Sequence, residues 1–427
     1  MARARAAVMV LAVIIAAACA APAGTGSPGT MAPTAAPSAA TTLVLWHGWY
    51  GDERATLGRL VEQFNRTSTQ GRVSLQAVPL ATFAGELRRA AASGSGPHVA
   101  IVPHPWIGDL ARDGVLMSLD DAFSTDELAD FIPTSLAAAY ATVDARRQLY
   151  GVPLIFDTLA LYYNRANVLV APEDTATLLE RARGLTDRRG TAPVWGLAVN
   201  LSVDTTIGYL YAFGGRVFAD DGTLALGGSG RAGATRWLAW LQQLQADDEL
   251  LAPAGQSILV DRELRNGRAL ITFDWAHHLA LYRGLWGENL GVAPLPRLSD
   301  TGQPARPYLR ADVLVANRRL GGSEVRTALA FARFLSSDGA QRALLDGDMQ
   351  PARGALPLEG DAPRMVIARV FRSQAAVAVP MPAYPQRALV EQELRVMQRQ
   401  VLSGVMPPEQ AVDEADRRLR ERLSGAP

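Results

Sequence analysis

The chain has no lysine, so every fixed cation among its 42 basic residues is an arginine. That absence excludes a Schiff-base lysine and a phosphate-loop lysine. Cysteine is almost absent too: Cys19 stands alone, so no internal disulfide can form. No excess charge of either sign exists, since 42 basic residues balance 42 acidic ones. A nucleic-acid surface would need surplus cations, and none is expected. There are five histidines, and their spacing does not favour a metal site. His277 and His278 are adjacent and would leave a helix on different faces. Neither G-x-S-x-G nor H-E-x-x-H occurs. No cofactor or metal is expected.

What is present is a long soluble chain. It has 427 residues, 48 % hydrophobic and 20 % charged, which exceeds one ordinary core and predicts two domains. The N-terminus reads as a targeting segment. Arg3 and Arg5 precede an apolar run over residues 6–18, of signal-peptide length and too short to span a bilayer as a helix. The run ends in Ala16-Ala17-Ala18-Cys19, which resembles a bacterial lipobox with Ala16 where Leu is usual. Residues 1–19 are therefore expected to be a lipoprotein signal ending at a lipidated Cys19, with ordinary cleavage as the alternative. Residues 20–41, rich in Ala, Pro, Gly, Ser and Thr, read as a flexible linker.

From residue 42 strand and helix patterns alternate, which predicts an α/β fold with parallel strands. Residues 42–46 are a short apolar strand, followed by the loop His47-Gly48-Trp49-Tyr50-Gly51. Asp52 or Glu53 then opens a helix carrying Leu57, Leu60, Val61 and Phe64 at helical spacing. Residues 72–79 and 99–102 are further strands, with a helix over 82–92 between them. Ligands of such sheets bind at the loops beyond the strand C-terminal ends. Here those loops are residues 47–51 and 103–106, and both carry Trp and His.

The stretch QLYGVPLIFDTLALYYN, residues 148–164, runs apolar except for Asp157. A carboxylate in such a run is costly to bury unless paired or hydrogen-bonded. Two readings coexist: Asp157 caps a turn between two strands, or it faces a wet cleft and accepts hydrogen bonds from a ligand.

Taken in order, TLVLWHGW, LVEQFN, AAASGSGPHVAIVPHPWIGDLARDGVLMSLDD, GVPLIFDTLALYYN, GYLYAFGG, NGRALITFDWAHHL, FARFLSSDGAQRAL and VLSGVMPPEQAVDEADRRL resemble the family 1 extracellular solute-binding proteins of bacterial ABC importers. The resemblance spans nearly all of residues 42–423. It implies a two-lobed periplasmic-binding-protein fold of type II, each lobe a mostly parallel sheet flanked by helices, with ligand in the cleft. Lobe 1 would hold residues 42–153 with 311–355, and lobe 2 residues 154–306 with 357–427. Residues 148–164 would be the first crossing. The implied function is capture of a mono- to oligosaccharide and its delivery to permease subunits, by a monomer anchored outside the cell membrane.

Aromatic faces stack on sugar C–H faces, and planar polar groups take the hydroxyls. The ligand-binding candidates are therefore Trp49, Trp106 and Trp275 with Asp157, Arg310 and Asp312. Trp275 matches a position where related receptors place a stacking aromatic. Tyr384, in PMPAYPQ, would fill another aromatic position. Arg310 and Asp312 depart from the small residues usual in relatives, and either recognise ligand or pair with each other or with a surface group. Two competing readings remain: a receptor for a polyamine, organic phosphate or other metabolite, and a hydrolase pairing Asp157 with Asp204 or Asp274.

Overall fold

A computed structural model describes residues 41–219, 222–383 and 386–424. Cys19, the linker up to residue 40 and Tyr384 therefore lie outside the described residues.

The strands are β1 (Thr42–His47), β2 (Arg72–Ala77), β3 (Val99–Pro103), β4 (Tyr140–Val143), β5 (Arg146–Leu149), β6 (Gly151–Asn164), β7 (Trp195–Leu197), β8 (Ala269–Trp275), β9 (Leu290–Ala293), β10 (Tyr308–Ala316), β11 (Gln350–Pro351) and β12 (Val379–Pro380). The main sheet runs β2-β1-β3-β10-β6-β8-β7. Its outer pairs, β1 with β2 and β3 and β7 with β8, are parallel as the alternating pattern predicts. Its middle is antiparallel, because β10 runs against both β3 and β6. The sheet is thus mixed: the strands that cross between lobes run in opposite directions.

β6 explains the two lobes. It is 14 residues long, and its neighbours change partway along it. Over Gly151–Thr158 it pairs with β10, and at Ile155 and Phe156 also with β11. From Leu159 onward it pairs with β8, and from Leu161 also with β9. One strand therefore joins two parts of the sheet through different partners. Gly151 begins it because a side chain would not fit: an added Cβ would lie 2.4 Å from Val313 Cγ1 and 2.6 Å from the Leu314 carbonyl oxygen.

Two apolar cores flank this strand. One gathers Leu43, Leu57, Phe64, Val102, Val313 and Phe331. The other gathers Leu161, Tyr209, Trp237, Leu394 and Leu419. The helix Gly51–Thr67 buries Thr56, Leu57, Leu60, Val61 and Phe64, the spacing expected of a helix lying on a sheet. Ser202 caps the helix Val203–Ala212 by accepting from the Thr205 N–H. Gly214 ends it at φ +81°, a conformation that favours glycine.

Candidate functional site

Alternation along β6 and β10 decides which side chains reach the face shared by the two lobes. Arg310 lies opposite Asp157, and Asp312 opposite Ile155. Each of these is half-buried, while the intervening Phe156 and Ala311 are buried on the other face. Leu159 lies opposite Trp275 at the end of β8. One short patch of three adjacent strands thus carries Asp157, Arg310, Asp312 and Trp275.

Each polar group in the patch has a distinct partner. The Trp49 indole Nε1–H donates to Asp312 Oδ2 at 2.5 Å, joining the loop after β1 to β10. His277 lies in the turn after β8; its backbone N–H donates to Asp157 Oδ1 at 3.2 Å, and its ring Nδ1 stands 2.7 Å from Asp157 Oδ2. Burial disfavours the imidazolium, yet the hydrogen bond and charge of Asp157 outweigh it, so His277 titrates above its ordinary range. His278 turns instead to Asp274, with Nδ1 at 2.8 Å from Oδ1. The Tyr282 hydroxyl donates to the other Asp274 oxygen at 2.7 Å.

The wall formed by the start of the helix Gly51–Thr67 and by Asp312 is acidic. Glu53 sits in the first turn of the helix Gly51–Thr67. Burial, with the charge of Asp312 behind it, pushes its carboxyl up to about 7. Burial also raises Asp312, against the stabilising bond from Trp49. The sequence marked Glu53 only as a helix start. Its position just past the C-terminal end of a parallel strand was the available signal.

Arg310 does not pair with Asp312. Its guanidinium carbon lies 4.0 Å above the ring of Trp275, a contact worth about 1–2 kcal/mol when partly desolvated. Its nearest carboxylate is Asp204, Nη2 to Oδ2 at 3.8 Å, and Arg395 approaches the same oxygen at 4.0 Å. Both distances exceed hydrogen-bond length. Trp275 is only 8 % exposed. Its backbone is pinned by its own N–H to Asp274 Oδ1 and by Tyr162 OH to its carbonyl. Trp275 and Asp204 also line a pocket of ≈ 490 Å³, with Asn200, Ser257, Asp261 and His278. A smaller pocket of ≈ 210 Å³, beside Thr175, Trp240 and Asp247, contains none of these groups.

Trp106 stands apart from this constellation. It lies in the short turn His104–Trp106 and meets Phe83 at a centroid distance of 6.0 Å. His104, in the same turn, is buried and bridges two backbones. Its Nδ1 accepts from the Ala311 N–H at 2.9 Å, and its Nε2 stands 2.8 Å from the Met381 carbonyl oxygen, to which it donates. Burial and the charges of Arg387 and Arg310 hold it down to about 4, against the Met381 carbonyl.

The two-lobed fold with a polar, aromatic face at its crossing strands defines a solute receptor of the periplasmic-binding type. Residues 59–357 match the bacterial extracellular solute-binding protein family, and the chain belongs to it. The chain is accordingly extracytoplasmic. It is 24 % identical over 268 residues to the maltotriose-binding protein of Pyrococcus abyssi, covering 62 % of this chain and 56 % of that protein. It is 24 % identical over 349 residues to the maltodextrin-binding protein MdxE of Bacillus subtilis, covering 78 % of each. The fold matches a cyclo/maltodextrin-binding protein complexed with maltotetraose at a TM-score of 0.77 and 21 % identity, over 90 % of this chain and 97 % of that one.

Proposed function

We propose that the protein is the substrate-binding component of an ABC importer, capturing a mono- to oligosaccharide between its lobes and delivering it to membrane permease subunits. Lobe 1 comprises residues 42–153 with 311–355 and lobe 2 residues 154–306 with 357–427, and a lipidated Cys19 anchors the chain outside the membrane. One observation carries the saccharide reading. A single face at the crossing strands combines indoles (Trp49, Trp275), carboxylates (Asp157, Asp312) and a guanidinium (Arg310). Hydroxyls need acceptors and donors side by side, and charge-assisted bonds to them are stronger than neutral ones. Relatives named for maltotriose and maltodextrin support the same reading. Nothing in the arrangement favours catalysis: Asp157 is occupied by His277, and Asp274 by His278 and Tyr282.

The test is titration calorimetry of the mature protein against maltotriose, other neutral saccharides, polyamines and organic phosphates. Saccharide binding that weakens about tenfold or more in Asp157→Ala is the expected result. Binding confined to amines would instead match the acidic wall of Glu53 and Asp312, and would overturn the saccharide assignment.

A further inference from the structure

An aromatic platform for a sugar must present a bare ring face. Trp275 does not: it is 8 % exposed, and the guanidinium carbon of Arg310 lies over its ring, 4.0 Å from the centroid. The guanidinium is not there to satisfy its own donors. Among the described residues the Arg310 side chain makes no hydrogen bond, and its contact with Asp204 is 3.8 Å. A guanidinium has five N–H donors in one plane. A contact with a ring uses none of those donors, so they stay available to other partners. Beside the guanidinium stands Asp204, whose carboxylate makes no hydrogen bond among the described residues, meets Arg310 and Arg395 only at 3.8 and 4.0 Å, and lines the ≈ 490 Å³ pocket.

We infer that Arg310 is the specificity-determining residue of this wall, and that Trp275 is a positioning residue that holds it rather than the surface on which the sugar lies. The inference rests on the saccharide reading above and deepens it. The ligand feature that fits is a neutral vicinal diol. Two adjacent hydroxyl oxygens accept from the fork of Arg310, and one of the hydroxyls donates to Asp204. An acidic sugar would bring its carboxylate against Asp204 and is disfavoured. Because the indole fixes the plane of the fork, an ammonium in place of the guanidinium does not substitute.

The experiment is a double-mutant cycle on the full mature protein, with maltotriose as the probe and glucuronate-terminated oligosaccharide as the charged control. Arg310→Met keeps the aliphatic stem and removes every donor. Trp275→Leu removes the platform. Each is expected to weaken maltotriose binding about tenfold or more, and the double variant to be no weaker than the worse single one. Trp275→Phe, which retains a ring to stack on, restores most of the affinity, while Arg310→Lys does not. Unfolding midpoints recorded alongside separate loss of fold from loss of binding, and the Phe variant reports on the platform if the Leu variant does not fold. Additive losses mean that Trp275 touches the sugar itself and overturn the inference alone. Unchanged or tighter binding by Arg310→Met overturns it as well, as does a preference for the glucuronate probe. A wild type that binds no saccharide overturns the proposed function and this inference together.

Discussion

His104 offers a quantitative test of how the cleft is held. Its neutral ring accepts from the Ala311 N–H, and Ala311 is the residue between Arg310 and Asp312 on β10. Protonation would turn that acceptor into a donor facing a donor. The folded chain holds the group at about 4, while an unfolded chain releases it to its ordinary value of 6.5. The shift is downward, so below 6.5 the unfolded state takes up the proton first. The contribution to stability is therefore complete above pH 6.5 and is lost as pH falls from 6.5 toward 4. Two and a half pH units correspond to roughly 3 kcal/mol. Urea unfolding of wild type and His104→Leu between pH 7.5 and 4.5 reads this directly. At pH 7.5 the variant should be less stable by about 2–4 kcal/mol, since it leaves the Ala311 N–H and the Met381 carbonyl unpaired. That gap should shrink steadily as the buffer is acidified, because only the wild type pays for protonation. A gap that stays constant across the range would refute a neutral, bridging His104.

Two further outcomes follow from particular contacts. Asp157→Asn removes the hydrogen-bonded charge that raises His277, so a proton NMR titration should show that imidazole falling below its wild-type value; no movement would mean that the pair does not form in solution. Gly151→Ala drives a methyl into Val313 and the Leu314 carbonyl and should cost about 1–3 kcal/mol in urea unfolding, a loss under 0.5 kcal/mol showing that β6 and β10 are less tightly apposed than described.

Much of the fold was legible because local signals agreed with it. The apolar stretch 148–164 forms one continuous strand, β6 (Gly151–Asn164), so Asp157 lies within a strand and caps no turn between two. The helix expected over 82–92 is Leu80–Ser93. The hairpin of β4 and β5 was not legible: its turn is Asp144-Ala145, both at positive φ, and it lacks the Gly or Asn that usually announces such a turn. The candidate site was legible by residue type but not by pairing. Trp49 meets Asp312, and Arg310 meets Asp204 and Trp275. Those partners lie on different elements, so periodicity within one element carries no information about them. The unread pairing reassigns Arg310, which has Asp312 two residues away yet approaches Asp204 on the helix Val203–Ala212.

The position of β10 bears on how the chain acquires its fold. β3 finds its inner neighbour only when Val99 meets Ala316 and Pro103 meets Asp312. Until that late segment arrives, β3 presents an unpaired, apolar edge, and β6 lacks the partner for its first half. Closing so distant a pairing is entropically expensive and makes folding slow. An open strand edge during that interval invites pairing with other chains. The nascent chain therefore gains no finished core from its N-terminal half alone, and a truncation before Tyr308 should yield an aggregation-prone product rather than an isolated lobe.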